Sequence, residues 1–192
     1  MRAFKPLLPF GETTVIENCI HNLRAGGIET IIVVLGHRAE EVSARIIHLH
    51  VHFALNDNPH SEMVESIARG IRQTSSDAEA VIIALADQPA IPAEVISRLL
   101  REYARTKASL IVPEYKGRGG HPVLIDLKFR EELLHLDMER GLRSLFDAHA
   151  AEVLRLSIDS PYVLRDIDSW QDYCALHEEV FGLAPPPFVP DE

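Results

Sequence analysis

The chain has 192 residues, 46% hydrophobic and 25% charged, the length and balance of one soluble globular domain with a real core. Its formal net charge of −10 argues against nucleic acid as a partner, because phosphate backbones are held by clustered Lys and Arg; a polyanionic ligand would need a local basic group or a bound cation. Two cysteines, Cys19 and Cys174, make no disulfide framework and point to a reduced, cytoplasmic setting; no apolar run approaches the roughly 20 residues of a membrane span, and no signal peptide opens the sequence.

Residues 1–10, MRAFKPLLPF, carry two prolines and no strand character. Thr13 or Thr14 can cap a helix with apolar spacing at Val15, Ile16, Cys19, Ile20 and Leu23, which Gly26-Gly27 ends. Thr30 to Leu35 reads as a β-branched buried strand, followed by Gly36-His37 and a helix near Ala39 to Ile47. The HLHVH run, His48 to His52, alternates histidines as one face of a strand would. Imidazoles can hold Zn²⁺ or Cu²⁺, yet the paired ligand spacings of structural sites are absent. The expectation is a short strand with a solvent-facing His stripe, completed by Phe53 to Leu55. A loop from Asn56 follows, then a helix from about Glu62 capped by Ser61 and continued by Ile67, Gly70 and Ile71.

The chain is organised around Ala80 to Pro92, AVIIALADQPAIP. Val81 to Ala86 is a continuous apolar run, the pattern of a parallel strand buried on both faces. It breaks into Asp87-Gln88-Pro89, and Pro89 has no N–H to continue a ladder. A carboxylate at the end of such a strand stands where open α/β sheets bind ligands, though Asp is also a common turn cap; both readings stay open on this stretch alone.

Glu94 to Thr106 is an amphipathic helix, and Ser109 to Val112 the next strand. Lys116 to Pro122, KGRGGHP, reads either as a mobile cationic loop whose backbone can approach an anion, or as a Gly-rich hairpin turn. Val123 to Ile125 and Val153 to Leu156 read as strands, and Phe129 to Leu136 and Gly141 to His149 as helices. A last helix starts at Ser169, with Asp172 three residues on. Residues 1–181 form one domain, and 182–192 a Pro-rich, extended tail. Strand–helix alternation predicts an α/β, doubly wound, mostly parallel Rossmann-like sheet.

Asp87, Asp166, Asp168, Lys5 and the Lys116/Arg118 segment are the chemically suggestive groups. Carboxylates with few His or Cys suit a hard cation such as Mg²⁺, and cations with Gly-rich backbone suit phosphates. Together they point to phosphoryl or nucleotidyl transfer, where catalysis is mostly positioning and charge neutralisation. No nucleophile–base pair stands out.

Six segments in order resemble the MobA/MocA-like nucleotidyltransferases, most closely the molybdenum cofactor cytidylyltransferases: KPLLPFGETTVIE, VVLGHRAEEV, NPHSEMVESIARGI, ALADQP, PEYKGRGGHPVLI and RDIDSWQDY. The resemblance implies the nucleotide-diphospho-sugar transferase type of fold. It implies that Asp87, with Asp166 or Asp168, binds Mg²⁺ and that Lys5 contacts the nucleotide phosphates. It places Met63 and Ser66 beside the cytosine ring, Gln88 and Pro89 in the nucleotide-side DQP motif, and Gly120 and His121 on the pterin side. CTP would be the substrate and a molybdopterin-type molecule the acceptor, with pyrophosphate released; a molybdoenzyme or its chaperone is a further partner. A sugar phosphate acceptor, or a non-catalytic cofactor-insertion chaperone, are the alternatives.

Three departures accompany it. The family's LAAGxSxRMG strand and loop would end where this chain begins, as from a late start codon or a truncation; the central strand is expected to be absent and two inner strands to show unpaired apolar edges. Poor folding and weak nucleotide binding are the corresponding expectation. Glu62 replaces the usual Gly before Met63, and Met138-Glu139-Arg140-Gly141 replaces G-D-x-G.

Overall fold

The computed structural model describes residues 4–58 and 63–186. A 3-10 turn at Lys5–Leu7 leads into a small antiparallel hairpin, β1 (Pro9–Phe10) with β2 (Thr13–Thr14). The opening stretch carries no strand signal. The hairpin exists because Phe10 is buried against Val15, Tyr173 and Leu176, so long-range packing decides what local propensity does not. Helix α1 (Val15–Ala25) starts with a capping box: the Glu17 carboxylate accepts from the Thr14 N–H at 2.8 Å and from the Thr14 hydroxyl at 2.7 Å. Glu17 is buried, and Arg45 of α2 (Ala39–Ile46) donates to it at 3.0 Å, so α1 and α2 are locked at one end.

Strand β3 (Ile32–Leu35) pairs in parallel with β4 (His52–Leu55). The expected His stripe does not form. Ile47–Leu49 is a 3-10 turn and His50 has a left-handed φ of 51°, so only His52 enters a strand. Arg24 holds this turn by donating to the carbonyls of Leu49 and His50, each at 2.9 Å. Among the described residues, no group of three His, Cys, Asp or Glu side chains is gathered closely enough to hold a metal ion.

The elements that follow are α3 (Met63–Gln73), β5 (Ala80–Ile83), α4 (Ala93–Thr106), β6 (Leu110–Tyr115), β7 (Arg118–Gly119) and β8 (Val123–Asp126). After them come α5 (Arg130–Leu134), α6 (Leu142–Ala148), β9 (Val153–Ser157) and α7 (Trp170–Phe181). The Ser61 cap and Glu62 lie outside the described residues. The Ser169/Asp172 capping box forms at α7 as expected. Lys116 to Gly120 folds as the tight β6–β7 hairpin, with φ of 50° at Lys116 and 79° at Gly117, so the hairpin reading of this segment holds.

The main sheet has the order β5-β8-β6-β7, with β9 added to β6 in parallel. Strand β8 is antiparallel to both β5 and β6, and β7 is antiparallel to β6, so β5, β6 and β9 run one way and β7 and β8 the other. Helices cover both faces. Leu110, Val123 and Ile125 pack with α3, α5 and α6 through Val64, Ile67, Leu133 and Leu142. Ile111 and Leu124, the alternate positions, pack with Leu99 and Tyr103 of α4. This is the doubly wound architecture.

The central run differs from its sequence reading. Strand β5 ends at Ile83 rather than Ala86 and is half-buried. It is hydrogen-bonded to β8 alone, as β3 is to β4 alone. Among the described residues no strand joins β3 to β5, so the β3–β4 pair and the five-stranded sheet stay separate, with unpaired apolar edges at β3 and β5, as expected. From Ala84 onward the backbone has left the ladder.

Candidate active site

Asp87 stands in the turn just beyond β5, and its backbone is fixed from two sides. On one side the Ile167 N–H donates to the Asp87 carbonyl at 3.0 Å. On the other, the amides of Asn18 and Asn22 both donate to the Pro89 carbonyl, at 2.6 and 2.9 Å. The Cys19 sulfur lies 3.9 and 3.8 Å from the carbonyls of Leu85 and Ala86. Burial, reinforced by the Asp87 charge, pushes the Cys19 thiol up to about 12, so it stays protonated and can donate.

The second wall is residues 165–168. Ile167 is fully buried, and with extended alternation its neighbours Asp166 and Asp168 are both exposed beside it. Gln88 is buried, and its amide donates to Asp166 Oδ1. The Gln88 Oε1 that remains is buried without a hydrogen-bond partner among the described residues. Lys5 reaches across from the opening turn to Asp168, Nζ to Oδ1 at 3.2 Å.

The third wall is the β7–β8 connection. A Cβ on Gly120 would stand 2.0 Å from the Val163 carbonyl oxygen, so only glycine permits this approach. The His121 N–H then donates to the Val163 carbonyl at 2.9 Å. Burial holds the His121 imidazole below its ordinary pKa, against a hydrogen bond to the Ile83 carbonyl and the charges of Asp166 and Asp87. It is therefore neutral at pH 7, and its Nδ1 is buried without a partner among the described residues.

Lys5, Asp87, Gln88, His121, Asp166 and Asp168 are thus brought together from four separate stretches of chain. Burial, and next the charge of Asp166, push the Asp87 carboxyl above the usual carboxylate range, partly offset by its own backbone N–H and Lys5. Three carboxylates face one ammonium, which is the electrostatics of a site short of positive charge. The three carboxylates are not gathered closely enough to hold an ion together; a pair of them suits Mg²⁺ or a similar hard cation, which also takes waters and substrate phosphates. Pro89 is buried in the same turn. Met63 and Ser66 belong to a second group on the first turns of α3: Met63 is exposed, and the Ser66 hydroxyl accepts from the buried Asn56 amide at 3.0 Å, just past β4.

The sequence reading missed Asn18 and Asn22. Their signal was available: two poor helix formers, four residues apart, inside an 11-residue helix.

A doubly wound α/β sheet with acidic side chains and a lysine gathered beyond a strand end is the class of fold that binds nucleotides at that edge. Residues 1–153 match the MobA-like NTP transferase domain, and the chain belongs to that family. It is 30% identical over 135 residues to nicotine blue oxidoreductase of Paenarthrobacter nicotinovorans, a match covering 67% of this chain and 65% of the relative's length. It is similar to Rv0371c of Mycobacterium tuberculosis H37Rv in complex with manganese, at 25% identity over 91% of each chain and a TM-score of 0.79. It shares its fold with a nucleotidyl transfer protein of Methanothermobacter, described as a nucleotidyl transferase, at 23% identity, a TM-score of 0.79, and coverage of 92% of this chain and 85% of that one. Among the described residues, no helix is long and apolar enough to cross a membrane.

Proposed function

We infer that the protein is a Mg²⁺-dependent nucleotidyltransferase that transfers CMP from CTP to the terminal phosphate of a molybdopterin-type acceptor. The observation that carries this is the convergence of Asp87, Asp166, Asp168 and Lys5 on one sheet edge. Family membership and the manganese complex of a similar protein support the transfer and the divalent cation. The DQP and G-x-x-G-H-P forms favour CTP over GTP.

In this reading Asp87, with Asp166 or Asp168, holds the cation. Bound there, the cation neutralises charge on the triphosphate and polarises its α-phosphate. Lys5, freed from Asp168, pairs with a phosphate oxygen. An oxygen of the acceptor phosphate attacks the α-phosphorus, the α–β anhydride bond breaks, and pyrophosphate leaves; a new P–O–P bond replaces the old one. His121, neutral and facing the carboxylates, borders the acceptor side.

The test is calorimetric titration with CTP and Mg²⁺, followed by pyrophosphate release on adding the acceptor. Metal-dependent CTP binding and pyrophosphate release support the reading. CTP binding without release favours a non-catalytic cofactor carrier, and release with a sugar phosphate alone changes the acceptor. The name of the 30% identical relative favours a second reading, a redox protein on the same scaffold. That reading predicts redox turnover of nicotine blue, without pyrophosphate release.

A further inference from the structure

The turn that carries Asp87 has no ladder to hold it. Strand β5 has ended at Ile83, and the carbonyls from Leu85 to Pro89 need other partners. Helix α1 supplies them from one face. Asn18, Cys19 and Asn22, at i, i+1 and i+4, reach the carbonyls of Leu85, Ala86 and Pro89. A carbonyl oxygen has two lone pairs, and the two amides occupy both. Asparagine is also a poor choice for a helix interior, because its side chain competes for the backbone.

The helix that bears them cannot easily shift. Its start is fixed by Thr14, Glu17 and Arg45. Its end is pressed on α4, where a Cβ on Gly26 would lie 2.5 Å from Ile96 Cβ, and Ser97 Oγ donates to the Gly26 carbonyl at 3.1 Å. Across the turn, Ile167 fixes the Asp87 carbonyl and Gln88 binds Asp166. The turn is held between a rigid helix and the second acidic segment.

We propose that Asn18 and Asn22 are positioning residues: a double-amide clamp on the Pro89 carbonyl that sets where the Asp87 carboxylate stands relative to Asp166, Asp168 and Lys5. This rests on the reading that Asp87 binds the divalent cation. The two amides act on one atom, so either alone retains most of the effect and the loss of both exceeds the sum of the single losses.

The experiment uses the full chain with Asn18→Leu, Asn22→Leu and the double variant, all close to isosteric. Hydrogen exchange of the Ile167 amide, which donates to Asp87, reads the turn without reference to function. The Tyr173 amide, bonded to Ser169 within the start of α7, is the internal control. The double variant is expected to exchange at Ile167 about tenfold faster with Tyr173 unchanged, and each single variant only about two- to threefold faster. Mn²⁺ affinity by electron paramagnetic resonance should fall about tenfold in the double variant, and kcat by up to about a hundredfold with KM for the nucleotide within about twofold. Unchanged Ile167 exchange in all three variants overturns the clamp. Faster exchange with wild-type Mn²⁺ affinity overturns its positioning role. If the double variant does not fold, the single variants decide on the same exchange criterion. Wild-type protein that binds no Mn²⁺ overturns the metal reading instead, while the exchange comparison still decides the clamp.

Discussion

Gly120→Ala tests whether the third wall of the site depends on close backbone approach. The added Cβ would stand 2.0 Å from the Val163 carbonyl oxygen and 2.7 Å from its carbon, where at least 3.0 Å is needed. The obstacle is backbone, so the 120–121 segment and the Pro161–Leu164 turn must separate by about 1 Å. That separation stretches the 2.9 Å hydrogen bond from His121 to Val163, worth about 1 kcal/mol, and leaves a buried carbonyl poorly paired at about 1–3 kcal/mol more. Val163 is fully buried, so little relaxation is free, and the total is about 3 kcal/mol. Urea unfolding of the variant beside the wild-type chain measures it. Gly117→Ala is the control: its φ is 79° but nothing among the described residues lies within 4 Å, so it loses only the cost of a left-handed alanine, about 1 kcal/mol. Equal losses at the two glycines would refute the argument from close approach.

Asp87→Asn should lower Mn²⁺ affinity and reduce nucleotidyl transfer by about a hundredfold or more, as measured by paramagnetic resonance and pyrophosphate release; wild-type values would remove Asp87 from the metal site. Glu17→Gln should destabilise the chain by about 2 kcal/mol at pH 7, because Thr14 and Arg45 both bond to the buried carboxylate. Burial raises the Glu17 pKa, but the Thr14 and Arg45 hydrogen bonds outweigh it and leave the folded value below the ordinary one. The charged form therefore stabilises the fold above the ordinary glutamate value, near about 4.3, and this is lost as pH falls through the folded value. The gap between wild type and Glu17→Gln should be widest above about pH 5 and close in acid; a gap constant from pH 7 to 3 contradicts this. Replacing His48, His50 and His52 together should leave metal content and activity unchanged, since the turn geometry of Ile47–Leu49 keeps them off one face.

Much of this was legible in local pattern. The cap at Thr13 or Thr14, which the structure assigns to Thr14, the Ser169 cap and the apolar face of α4 follow from contacts a few residues apart. A strand ending before Asp87 was legible because an apolar run that meets an acid and a proline cannot continue a ladder, though β5 stops earlier, at Ile83. The failures share one cause. The β1–β2 hairpin depends on α7, the early end of β5 on what pairs with its edge, and the fate of HLHVH on Arg24 holding a turn. None of these is encoded in the stretch itself.

The sequence by itself determined the elements, their apolar faces and the chemical types available at their ends, because 3.6- and 2-residue periodicities are local properties. Only the tertiary structure decided that Lys5, Asp87, His121 and Asp166–Asp168 meet, that β8 runs against its neighbours, and that two asparagines of α1 hold the Asp87 turn. Those contacts join residues up to 163 positions apart. Such contacts form only once burying both faces of the sheet has set the helices in place, and no short-range pattern carries that information.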